Sequence, residues 1–109
     1  MSFKYTQDEI YSASSLAATT TTSSVDCRFL NQGSCMVVIT TGGAVSWTVS
    51  IQGSNDDSTF VDLVTPSNVT GTTNLLFEIP DMTCLFYRLS FTRTSGTLTT
   101  VSALFGAKG

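Results

Sequence analysis

Apolar and polar residues alternate along residues 44–63, AVSWTVSIQGSNDDSTFVDL, and this stretch organises the chain. Val45, Trp47, Val49 and Ile51 are interleaved with Ser46, Thr48, Ser50 and Gln52. Side chains two apart on a strand share a face, so the pattern predicts a strand with one apolar and one hydroxyl-rich side. Gly53, Ser54, Asn55, Asp56 and Asp57 then supply turn chemistry, and Phe60, Val61 and Leu63 open a further strand. Trp47, Val49, Ile51 and Phe60 are expected in the core.

The same period recurs along the chain. Residues 24–30 alternate through Val25, Cys27 and Phe29. Residues 34–41 hold Met36, Val37, Val38 and Ile39 in one run, which predicts a strand covered on both faces. Gly42 and Gly43 turn the chain into the Trp47 strand. Residues 64–74 read as a polar connection, and residues 75–79 as a strand stopped at Pro80. Residues 84–94 give the longest alternation. Leu85, Tyr87, Leu89 and Phe91 share one face, and Phe86, Arg88, Ser90 and Thr92 the other. Tyr87, Leu89 and Phe91 complete the predicted core. A last strand spans residues 97–105. Seven or eight short strands at turn spacing, with no amphipathic helix, predict a single all-β domain: an antiparallel, jelly-roll-like β-sandwich over residues 23–109.

Residues 1–22 differ. Phe3, Tyr5, Ile10, Tyr11 and Leu16 follow no clean period, and Thr19 to Thr22 is a run of four threonines. The segment reads as an extended N-terminal arm lying on a neighbouring subunit, or as an edge strand closing the sandwich. As an arm it would make contact through Phe3, Tyr5, Ile10 and Tyr11. Loops 42–43 and 66–73 are weaker contact candidates.

Composition narrows the function. Charged residues are 12% of the chain, about half the usual share, while 15 Ser and 19 Thr among 109 residues take their place. A charge-poor, hydroxylated surface suits coverage by partners. The net charge is −3, and Lys4, Arg28, Arg88, Arg93 and Lys108 are too scattered to track a phosphate backbone, which argues against nucleic acid. No apolar run reaches the roughly 20 residues of a membrane span. The first residues lack the apolar stretch of a signal peptide, so the expectation is synthesis in a cytoplasm.

The chain has no histidine. Ser-His-Asp and Cys-His sites are therefore excluded within it, and no phosphate-binding glycine loop is present. Asp56 and Asp57 are adjacent turn residues with diverging side chains, and Asp62, Glu78 and Asp81 stand apart. The chain is not expected to be an enzyme or to hold a cofactor. The Asn55-Asp56-Asp57 turn has oxygen ligands for calcium, but a turn uses the same residues and is the preferred reading; no metal site is expected. Trp47 could stack on a sugar only if it faced outward. Asn68-Val69-Thr70 matches a glycosylation sequon without a secretory signal to make it relevant. Cys27, Cys35 and Cys84 lack metal spacing and read as reduced, core-packed thiols, with a Cys27–Cys35 disulfide as the minor alternative. Arg88, mid-strand opposite the apolar series, pairs with Asp56, Asp57 or a partner's carboxylate, or lies over an aromatic ring. Arg93 reads as a solvated charge.

Three segments, VSWTVSIQGSNDDSTFVDL, FYRLSFTRTSGT and the closing FGAKG, resemble the small β-sandwich structural proteins of tailed bacteriophage particles. The resemblance covers residues 44–109 and leaves residues 1–23 outside. It implies a virion protein made in the host bacterial cytoplasm, of the capsid decoration or cement type. It further implies the major capsid protein and other copies of itself as partners, with a trimer at three-fold lattice positions. A tail, neck or fibre component, including a carbohydrate-binding module, is the alternative.

Overall fold

The computed structural model describes residues 5–28 and 30–109. Among the described residues there are ten strands and no helix: β1 (Tyr5–Ala13), β2 (Thr20–Thr21), β3 (Val25–Asp26), β4 (Gln32–Thr40), β5 (Ser46–Ser54), β6 (Val61–Asp62), β7 (Ser67–Val69), β8 (Thr73–Ile79), β9 (Phe86–Ser95) and β10 (Thr100–Lys108). All pairings are antiparallel. One sheet runs β1-β10-β4-β8; the other runs β2-β9-β5-β6, with β3 also on β9 and β7 also on β5. The chain is an all-β sandwich.

The count exceeds the expected seven or eight because two edge strands are interrupted. β2 and β3 lie along the same edge of β9, Thr20 opposite Phe91 and Val25 opposite Tyr87. Between them the side chain of Thr22 joins the ladder. Its Oγ1 accepts from the Leu89 amide at 3.0 Å, while its own amide donates to the Leu89 carbonyl at 3.0 Å. β6 and β7 flank β5 in the same broken manner: the Leu63 amide still donates to the Ile51 carbonyl at 3.0 Å, and the chain then leaves the ladder through Pro66, which has no N–H to pair. Residues 64–74, read as a plain connection, thus contribute β7.

The core lies between the sheets. Cys35, Val37 and Ile39 of β4, Phe77 of β8, and Val101, Ala103 and Phe105 of β10 face Trp47, Val49 and Ile51 of β5 and Tyr87, Leu89 and Phe91 of β9. The alternations read in β5 and β9 point Trp47, Val49, Ile51, Tyr87, Leu89 and Phe91 inward, whereas Leu85, read on the same face, precedes β9 and is 41% exposed. Trp47 is 1% exposed, and its indole N–H donates to the Gly96 carbonyl at 3.2 Å. The rings of Tyr87 and Phe105 approach to 6.2 Å between centroids.

Residues 5–13 are paired along β10, from Tyr5 opposite Lys108 to Ala13 opposite Val101, with a register shift between Glu9 and Tyr11. Leu16 is buried and bridges Leu98 in both directions at 2.9 Å. Of the two roles weighed for this segment, residues 5–13 form the edge strand. Phe3 lies outside the described residues, as does Phe29.

Two expectations are corrected. Phe60 is not in the core. The 54–59 loop returns the chain so that Phe60 is half-buried on the outer side of β5, while Val61 and Leu63 lie at the sheet edge and are exposed. β4 is covered on one face only: Cys35, Val37 and Ile39 are buried, whereas Met36 and Val38 are 42% and 37% exposed.

Candidate functional site

The two outer faces of the sandwich differ in kind. Outside β5 and β9, polar groups are bound to one another. Asp62 Oδ1 accepts from Ser50 at 2.9 Å and from the Gln52 amide at 3.0 Å. Gln52 Oε1 accepts from Arg88 Nε at 2.9 Å, and the Arg88 guanidinium lies 3.9 Å from the centroid of Phe60. Arg88 makes no ion pair with Asp56 or Asp57; it takes the aromatic alternative. This face satisfies itself.

The outer face of β1-β10-β4-β8 is aliphatic. Leu104 of β10 sits opposite Met36 of β4, and Met36 opposite Leu76 of β8, so the three form one row across the sheet. Glu9 of β1 ends that row, opposite Leu104. Val38 lies in the next row, between Ser102 and Asn74. Leu76 is 60% exposed. On the other side of the row Gly106 stands opposite Ser34, and these small residues leave a trough of about 610 Å³ walled by Met36, Leu76 and Leu104 and reaching Lys108. A row of large apolar side chains open to water marks a surface that gains by being covered. This is the candidate interaction surface. The signal for it lay in the run Met36-Val37-Val38-Ile39, but the second cover that the run implied does not come from the described residues.

The other residues singled out fall elsewhere. Ile10 and Tyr11 are half-buried and pack against the core, with the Tyr11 ring 5.5 Å from that of Phe91. Tyr5 opens β1. Gly42 and Gly43 are exposed, and the 66–73 segment is partly taken up by β7. The 54–59 loop is closed by its own hydrogen bonds. Asp56 Oδ1 accepts from the Thr59 amide at 2.8 Å, the Ser58 amide at 2.9 Å and the Ser54 hydroxyl at 2.8 Å. These donors hold its carboxyl down at about 2. Asp57 adopts φ +57°, and Asn55 Oδ1 accepts from the Leu85 amide, so each residue of the turn has a structural task. No group of three or more metal-ligating side chains occurs among the described residues. With Trp47 buried, the aromatic that a sugar-binding reading needed is inside the sandwich.

Cys27 and Cys35 are both buried and are not joined to each other, which corrects the disulfide alternative. Burial pushes the Cys35 thiol up to about 12. Cys84 is half-buried beside Gly53. Arg28 pairs with Asp26 at the surface. Arg93 donates from Nε to the Gly96 carbonyl at 2.8 Å and so is tied to the turn.

No family model and no curated protein matches the chain. The fold itself is shared. The structure of the PBSX exported protein XepA superposes with a TM-score of 0.71 at 13% identity, over 95% of this chain and 37% of XepA. The SPBc2 prophage-derived protein YomS superposes with a TM-score of 0.68 at 5% identity, over 100% of this chain and 96% of YomS. A chain in the structure of infectious bursal disease virus, Gx strain, gives 0.53 at 14% identity, over 97% of this chain and 32% of that one. The chain thus spans about a third of XepA and nearly all of YomS. The resemblance to phage β-sandwich proteins drawn from the sequence is matched by neighbours of prophage origin. At these identities the likeness is one of fold.

Proposed function

We propose that this protein is a non-enzymatic structural component of a bacteriophage particle, and that it acts as a decoration or cement protein on the head exterior. It is made in the host cytoplasm and taken up by the assembled shell. The reading rests on the Leu104–Met36–Leu76 row, an uncovered aliphatic stripe on a rigid four-stranded face. The prophage origin of XepA and YomS supports it, as does the virus particle among the fold neighbours. The partner is the major capsid protein, and further copies of the chain are its neighbours on the shell. Docking buries the stripe, and binding only the assembled lattice stabilises that lattice by linkage. The contact falls on the sheet face, since Ile10 and Tyr11 are already occupied by the sandwich's own core.

The test is cryo-EM of purified heads with and without the protein, repeated with Met36→Glu and Leu104→Glu. Many copies spread over the shell, lost in both variants while the variants stay folded, support the proposal. A few copies at a vertex or along the tail move the protein to the neck or tail. Absence from particles overturns the virion reading.

A further inference from the structure

The edges of the two sheets are unequally guarded. β1 carries a register break between Glu9 and Tyr11, and the β2/β3 and β6/β7 edges are pieces of two or three residues. Such bulges and short pieces deter further pairing. β8 has neither. Its seven residues, Thr73–Ile79, contain no proline and pair with β4 in unbroken register from Gly33–Ile79 to Ile39–Thr73. No described strand pairs its other side. A seven-residue edge without bulge, break or proline, whose one charge is Glu78 near its end, is a template for another strand.

We propose that the strand it receives is β8 of a second copy, antiparallel, with the two-fold axis passing beside Leu76. Three observations select this occupant and register. Leu76 is the middle residue of β8, so a pairing centred on it uses the whole strand. It keeps Asn74, Leu76 and Glu78 on the outer face and Leu75 and Phe77 on the core face of one continuous sheet; a slip by one residue would exchange the faces. It also sets Glu78 opposite Asn74 of the second copy, so each carboxylate meets an amide donor. A parallel pairing would place Glu78 against Glu78, and a two-residue slip would place Leu76 against Asn74 or Glu78 and leave residues unpaired. In the favoured register the row Leu104–Met36–Leu76 runs on without a break into the same row of the second copy. The contact is isologous and closes as a dimer. It does not depend on the particle reading.

The test is sedimentation of the full chain together with thiol cross-linking in a Cys84→Ser background. Directly opposed positions lie about 5 Å apart between Cβ atoms, so Leu76→Cys oxidises to a covalent dimer. Met36→Cys, also exposed but one strand further from the axis, stays monomeric on denaturing gels. Asn74→Glu sets like charges opposite each other twice per dimer and weakens association on the order of tenfold; Asn74→Lys restores or tightens it. A wild-type chain that sediments as a monomer at all soluble concentrations overturns the proposal. So does a trimer, equal cross-linking through positions 36 and 76, or association indifferent to Asn74→Glu.

Discussion

Arg88 lies over Phe60, its guanidinium carbon 3.9 Å from the ring centroid, while its Nε donates to Gln52 Oε1. The pair ties the start of β6 to the middle of β9 across β5. Removing either partner should cost about 0.5–2 kcal/mol, a fall of roughly 3–8 °C in Tm. Arg88→Ala, Phe60→Ala and the double variant, compared by thermal unfolding, should show a double loss smaller than the sum of the single losses. Additive losses would mean that the stacking contributes nothing.

Gly96 fixes the turn that follows β9. It has φ +82°, and a Cβ there would sit 2.7 Å from Val45 Cγ1, so Gly96→Ala combines backbone strain with a clash. Its carbonyl accepts from both Trp47 Nε1 and Arg93 Nε. Trp47→Phe keeps an aromatic ring but loses one of these bonds and leaves a void, for an expected loss of about 2–3 kcal/mol. Denaturant unfolding should place Gly96→Ala and Trp47→Phe well below Arg93→Ala, whose bond is at the surface.

Acid should loosen the 54–59 loop late. The carboxyl of Asp56 is depressed to about 2 by the Thr59 and Ser58 amides and the Ser54 hydroxyl. A depressed carboxyl contributes stability above its unfolded value near 4, and this is lost as pH falls toward 2. Between pH 5 and pH 2 the Tm of the wild-type chain should therefore fall further than that of Asp56→Asn. Parallel curves would show that the loop's hydrogen bonds do not discriminate the charged form.

The thiols should separate by reactivity. Cys35 is fully buried and pushed up to about 12, so it carries almost no thiolate at neutral pH. Cys84 is partly accessible. Alkylation of the native protein followed by peptide mass mapping should modify Cys84 first and leave Cys35 untouched until denaturant is added.

How far the sequence disclosed this molecule depended on where a residue sits in its sheet. In β5 and β9 the period of two named Trp47, Val49, Ile51, Tyr87, Leu89 and Phe91 as core, because these two strands pair with each other in continuous register from Trp47–Arg93 to Ser54–Phe86. At the edges the rule weakened. The β2/β3 edge uses the Thr22 hydroxyl in place of a regular pairing, and a threonine run carries no periodic signal of that. Phe60 misled because the alternation was carried across a loop that changes sides. Met36 and Val38 misled for a different reason. Apolarity states that a residue can be covered, and among the described residues nothing covers the outer side of Met36 and Val38.

The pairing of β1 with β10 has a consequence for the order of events during synthesis. β10 lies between β1 and β4, so most of the four-stranded sheet must wait for the last strand to emerge. Until then only the β4–β8 ladder of that sheet can form, and β1 and β4 each have an unsatisfied side. Pairings this distant along the chain are slow to close. The nascent protein therefore passes through an interval of exposed strands, in which a chaperone or a crowded neighbour could compete with its own C-terminal segment.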